Sequence, residues 1–287
     1  MPTNSKILRK LEEWKEKEEV DPKFLEFYQR LLRIQSRAEQ RIGIPQLSLS
    51  SEAISERIEH GLPLIGFDEL ALDWSLLQDI FAEVTEAFAT YPELFGEFPQ
   101  SLKEPEPCPP LSKETAKAWF EGARLLSLME VDEVSEHLLE AIIHATLNPF
   151  LVSYSKALLG LVNQERWRRG YCPICGGNPD FAFLDKERGA RWLLCSRCDA
   201  EWLFQRLECP YCGTQDQDAL AYFTDDEGLY RLYVCERCKR YLKALDLRQA
   251  KSEVLLPLER LFTFDIDAQA QEYGYSPCDR TYTRVKR

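Results

Sequence analysis

Eight of the ten cysteines stand in four Cys-x-x-Cys pairs: Cys172/Cys175, Cys195/Cys198, Cys209/Cys212 and Cys235/Cys238. A pair at this spacing lets a tight turn aim two sulfurs at one point, and two such pairs complete a closed tetrahedral thiolate site. Nineteen residues separate Cys175 from Cys195 and twenty-two separate Cys212 from Cys235. The first gap has zinc-ribbon spacing and the second lies slightly beyond it. Two metal ions per chain are expected, with iron and zinc both compatible with four thiolates.

The cysteine stretch is also an internal repeat. CPICG at 172–176 recurs as CPYCG at 209–213, and CSRC at 195–198 recurs as CERC at 235–238. Each unit has a turn at the same place, Glu187-Arg188-Gly189 and Asp226-Glu227-Gly228. Trp192-Leu193-Leu194 and Leu232-Tyr233-Val234 then lead into the third cysteine as β-prone runs. Two tandem rubredoxin-like, or zinc-ribbon-like, modules follow, each a hairpin between two cysteine knuckles. Sequential pairing of knuckles is the simpler expectation, with a cross-braced arrangement as the alternative. Modules of about forty residues bury too little core to stand alone, so the metal is read as structural. A catalytic site normally keeps an open position or includes His, and His60, His137 and His144 all lie far upstream.

The elements that must carry these modules begin with residues 1–165, which read as helical. Ser5 to Glu19 is a charged helix. Asp21 caps the next, with Pro22 in its first turn and Phe24, Phe27, Tyr28, Leu31 and Ile34 as its core stripe. Ser50 to His60 ends at Gly61, and Asp73 opens a helix whose buried side is Leu76, Leu77, Ile80, Phe81, Val84 and Phe88. Prolines 92, 99, 105, 107, 109 and 110 crowd one linker. Ser112 starts another helix, with Ala116, Trp119, Phe120, Ala123 and Leu126 on one face, and Asp132 caps the next. Asn148-Pro149 is expected to restart the chain into a helix ending near Trp167. His137 and His144, seven apart, share a helix face and are expected to be ordinary packed or surface groups. The short Cys198–Cys209 connection predicts modules held rigidly together, and Leu258 to Tyr275 has helical spacing. The expected architecture is α+β: an all-helical domain over 1–167, a first module over 168–207, and a second over 208–287 with a C-terminal tail.

Composition narrows the function. The net charge is −12, and residues 1–165 carry 16 basic against 29 acidic side chains. Residues 166–287 carry 20 basic against 19 acidic ones, and eight thiolates with two divalent ions move that balance from +1 to −3. An acidic half repels phosphate backbones, so nucleic-acid binding by a ribbon protein is disfavoured. Arg197, Arg206, Arg237, Lys239 and Arg240 are read partly as local compensation for the thiolates. No apolar run approaches a membrane span and no signal core is present, and reduced thiolates suit the cytoplasm. Cys108 and Cys278 are left over. A redox or electron-transfer protein with iron tetrathiolates is the other alternative class.

The chain resembles the formate dehydrogenase accessory proteins, the FdhE family. The likeness is closest over ARWLLCSRCDAEWLFQRLECPYCG, Ala190 to Gly213, and continues in Tyr241-Leu242-Lys243 and in the Asp265–Tyr275 tail with its Glu272-Tyr273-Gly274-Tyr275 ending. FLEFYQRLLRIQ, Phe24 to Gln35, is similar to the family's N-terminal helix. Order and architecture match along nearly all the chain, while specific motifs cover roughly a third of it. The Ser-Pro-Cys-Asp after Tyr275 departs from the family pattern. The resemblance implies a cytoplasmic, non-enzymatic maturation factor that binds the catalytic subunit of formate dehydrogenase, which carries a molybdenum or tungsten pterin and an iron–sulfur cluster. It tips the metal slightly toward iron and leaves self-association open. Glu201, Trp202 and Arg206 are candidate partner contacts, with local packing and pairing as their alternative role.

Overall fold

The computed structural model describes residues 4–14, 21–45, 49–98, 111–125 and 133–278. Two compact units divide them. One comprises 1–45 with 67–153, and the other 46–66 with 154–287. This differs from the expected 1–167 boundary, because residues 46–66 group with the cysteine modules. The two modules also share one sheet, so they are halves of a single unit.

The first unit is helical for the reasons its sequence suggests. The Asp21 carboxylate accepts from Lys23 N at 2.8 Å and opens the helix Pro22–Arg41. Asp73 accepts from Leu76 N and opens Trp74–Ala89, and Ser112 does the same through Thr115 N for Lys113–Glu121. Phe27, Phe88 and Phe95 meet with ring centroids 4.6–4.9 Å apart, an aromatic knot worth more than its burial alone. Of the Ser5–Glu19 helix, Asn4–Trp14 is present, and the rest lies outside the described residues, as do Cys108, Leu126, the Asp132 cap and most of the proline linker.

The expected break at Asn148-Pro149 does not occur. The helix Glu133–Leu158 runs through Pro149, and a short helix Gln164–Trp167 follows separately. Proline lacks the N–H that would bond the Ala145 carbonyl. The buried Gln35 side chain donates to that carbonyl instead, at 3.0 Å. A partner from another helix removes one of the two reasons for proline to end this one.

In the second unit, Ser50 Oγ caps Ser51–His60, and Gly61 ends it at φ +66°. Six strands follow: β1 (Pro179–Leu184), β2 (Arg191–Cys195), β3 (Glu201–Phe204), β4 (Leu220–Thr224), β5 (Tyr230–Cys235) and β6 (Arg240–Asp246). Their order in the sheet is β3-β2-β1-β6-β5-β4. Each module is an antiparallel meander, and the two join through the parallel β1–β6 pair. The repeat is therefore laid head to tail, third strand of one module beside first strand of the other. The tail forms two helices, Leu256–Leu261 and Phe264–Glu272. Lys243 Nζ reaches the carbonyls of Arg260 and Thr263 and the Asp267 carboxylate, while Tyr241 Oη donates to Asp267 at 2.8 Å. The tail thus clamps the sheet. Among the described residues no helix is long and apolar enough to cross a membrane.

Candidate metal centres

Three of the four knuckles close with the same backbone bond. In the first and third, the amide after the second cysteine returns to the carbonyl of the first: Gly176 N to Cys172 O at 3.0 Å and Gly213 N to Cys209 O at 2.9 Å. Lys239 N closes the fourth knuckle onto Cys235 O at 2.8 Å. The residue after each pair lies in the left-handed region: Gly176 at +73°, Asp199 at +53°, Gly213 at +69° and Lys239 at +54°. Glycine accepts that conformation without cost, and the aspartate is a type that tolerates it. The turn also points amides at sulfur, with Ile174 N 3.3 Å from Cys172 Sγ and Arg197 N 3.4 Å from Cys195 Sγ.

The knuckles pair in sequence order. Cys172, Cys175, Cys195 and Cys198 form one group and Cys209, Cys212, Cys235 and Cys238 the other, with the sulfurs of each group within 4.8 Å of one another. Hydrogen-bonded sulfur pairs are 3.5–3.6 Å apart in the first group and 3.7 Å in the second. A tetrahedron with metal–sulfur bonds of 2.3 Å has edges of about 3.8 Å, so four thiolates at these separations fit one ion. A disulfide requires about 2.05 Å between sulfurs, so these are thiols or thiolates. The cross-braced alternative is not the arrangement adopted.

Electrostatics point the same way. Burial drives the Cys172 and Cys198 thiols well above their ordinary range, while hydrogen bonds from the neighbouring sulfurs hold Cys175 well below it. In the second group the bond from Cys209 holds Cys238 down to about 5, and Cys209 is pushed up by that bond and by burial. Four sulfurs sharing one site cannot all ionise unaided, whereas a divalent cation among them stabilises every thiolate at once.

Two positioning groups had no sequence signal. Leu64 N and Ile65 N donate to the Pro173 and Ile174 carbonyls at 2.8 and 3.0 Å, so residues 62–66 lie along the first knuckle. Arg191 is buried, its guanidinium 5.2 Å from the Phe204 ring and 5.4 Å from the Tyr233 ring. It donates to the carbonyls of Gln205 and Glu208, fixing the connection into Cys209. Burial lowers its pKa to about 10, still a cation beside the second thiolate group. Arg197 is buried beside the first. Gly170 packs so closely on Pro210 that a Cβ would sit 1.9 Å from its carbonyl oxygen, another reason the modules move together.

The remaining sequence candidates are dispersed. Trp202 is 0% exposed and donates from Nε1 to the Arg169 carbonyl at 2.7 Å, while Glu201 is half-buried and Arg206 exposed. Burial raises the Glu201 carboxyl, with Asp199 adding to the effect. His137 is exposed and pairs with Glu140 at 3.8 Å, whereas His144 lies against Trp119. Cys278 is half-buried near Arg240, apart from both groups.

Comparison with known proteins places these modules in context. The profile described as "FdhE, central domain" matches residues 171–206. A protein named "Protein FdhE homolog" from Aquifex aeolicus (strain VF5) is 28% identical over 279 residues, covering 93% of this chain and 90% of that protein. Another of the same name, from Pseudomonas aeruginosa PAO1, is 28% identical over 245 residues, covering 79% and 72%. The crystal structure of the FdhE protein from Pseudomonas aeruginosa shares the fold with a TM-score of 0.60. It is 22% identical, and the match covers 96% of this chain and 91% of that one.

Proposed function

Because this chain is a relative of the FdhE proteins over nearly all of its length, we propose that it is an accessory factor for formate dehydrogenase. In this reading it is chaperone-like, binds the enzyme's catalytic subunit in the cytoplasm and brings it to activity without itself catalysing a reaction. The observation that carries the proposal is the similarity to an FdhE homolog across 93% of the chain, covering helical unit and cysteine modules alike. The cysteine groups support it. Each supplies four sulfurs to one point, which leaves no open coordination position for a substrate.

Cys172, Cys175, Cys195 and Cys198 would hold one ion and Cys209, Cys212, Cys235 and Cys238 a second, iron being favoured slightly over zinc by the resemblance. Bound there, the metal supplies folding energy and, as iron, a one-electron couple. Within the stretch proposed to meet the partner, Glu201 and Arg206 reach solvent, and Trp202 serves by locking β3 in place. A strain lacking the protein is expected to make the catalytic subunit yet lose formate-dependent dye reduction. Wild-type protein in trans restores it, and a chain lacking Cys172–Cys238 does not. Normal dehydrogenase activity in the deletion strain, with no paralogue present, overturns the proposal.

A further inference from the structure

The six-stranded sheet has two ends, and they are finished differently. At one end the outward amide of Leu203 in β3 donates to the Gln164 side chain at 3.1 Å, and the Gln164–Trp167 helix packs on that strand. At the other end, among the described residues, β4 pairs with β5 alone. Its residues run from half-buried Leu220 to exposed Ala221, Tyr222, Phe223 and Thr224, with Tyr222 55% and Phe223 57% exposed. Glu236 N bonds Ala219 O and Asp225 N bonds Tyr230 O. In an antiparallel ladder bonded pairs alternate, so Ala221 and Phe223 also bond toward β5. Tyr222 and Thr224 therefore aim their N–H and C=O groups away from the sheet, while the Leu220 N–H is taken by the Gln217 carbonyl.

The repeat supplies a precedent for what such an edge accepts. Pairing registers make β1 the counterpart of β4, with Leu184 in the place of Thr224. The outer edge of β1 is filled: β6 lies parallel to it, and Leu247 N donates to the Leu184 carbonyl at 3.0 Å. Among the described residues the equivalent edge of β4 carries no strand.

Charge selects the occupant. Asp216 and Asp218 precede β4, and Asp225, Asp226 and Glu227 follow it, all exposed; of these acids Glu227 faces a lysine, Lys251, at 3.5 Å. A second copy laid antiparallel on this edge would set the acids before one β4 against those after the other. A head-to-tail copy would need the β3 edge, whose Leu203 amide is already engaged. We propose that the outer edge of β4 is a docking site for an extended, basic segment of a partner protein, added to the sheet as a seventh strand. Backbone bonds to Tyr222 and Thr224 give affinity, the two aromatic rings cover apolar residues on either face, and the flanking acids select lysine or arginine. The inference holds whichever protein the partner is.

The probe is a short fluorescent peptide alternating valine and lysine, titrated into the metal-loaded chain by polarisation. It is expected to bind at least about tenfold more tightly than the valine–glutamate peptide, and N-methylation of alternate residues should abolish binding. Thr224→Pro removes an outward donor while sparing every bond to β5, and should weaken binding by about tenfold or more at unchanged metal content. Asp218→Lys with Asp226→Lys should invert the charge preference. Equal affinity for both peptides, or binding that survives N-methylation, overturns the proposal. So does a concentration-dependent dimer that Thr224→Pro dissolves, which would assign the edge to a second copy.

Discussion

The two cysteine modules repeat one another in sequence yet live in different surroundings. In the first, all four cysteines are buried, β1 and β2 are almost wholly enclosed, residues 62–66 lie along the first knuckle, and the edge strand is capped by Gln164. In the second, Cys212 and Cys238 are half-buried, and β4 faces solvent along its length. The same chain device can therefore be a structural keystone in one copy and a surface in the other. What differs is the packing around it, since the residue after every cysteine pair takes the same left-handed turn.

The largest test of that contrast removes the ligands. Cys172→Ala with Cys175→Ala should leave one ion per chain and unfold much of the sheet unit, because a structural tetrathiolate is worth about 10–16 kcal/mol of apparent binding energy. Cys209→Ala with Cys212→Ala should also remove one ion, but with the first module still folded. Elemental analysis with near-ultraviolet circular dichroism distinguishes the two. Equal loss of structure in both variants would break the comparison.

A smaller test uses two phenylalanines in equivalent register. Phe183 in β1 is 7% exposed and its counterpart Phe223 in β4 is 57% exposed. Phe183→Ala should lower stability by about 3–5 kcal/mol in denaturant titrations, and Phe223→Ala by less than about 0.5 kcal/mol.

The finest test concerns Glu201, whose place in the second module is taken by Tyr241, a neutral phenol bonded to Asp267. Burial raises the Glu201 carboxyl, so the fold disfavours its ionised form. The wild type then loses stability as pH rises from the unfolded value of about 4.3 through the higher folded one. Glu201→Gln should stabilise the protein by less than about 1 kcal/mol near neutrality, with no gain below pH about 4. A melting-temperature difference independent of pH would show that the carboxylate bears no such cost. A costly carboxylate kept at a half-buried position agrees with the partner contact proposed for it.

The four Cys-x-x-Cys pairs, their repetition and the glycine after two of them were enough to read two tetrathiolate modules in sequence order. Spacing and turn chemistry are local properties, and a knuckle is built from consecutive residues. Helix starts at Asp21, Ser50, Asp73 and Ser112 were legible for the same reason, since a cap is a side chain bonding an amide two or three residues on. The continuation through Pro149 was not, because the donor that satisfies Ala145 comes from Gln35, 110 residues away. Nor was the docking of residues 62–66, which rests on backbone bonds that carry no side-chain signature. The joining of two hairpins into one sheet through β1 and β6, and the choice of which end of that sheet stays open among the described residues, depend on long-range pairing. Only the folded chain, which brings β6 back beside β1, decided them.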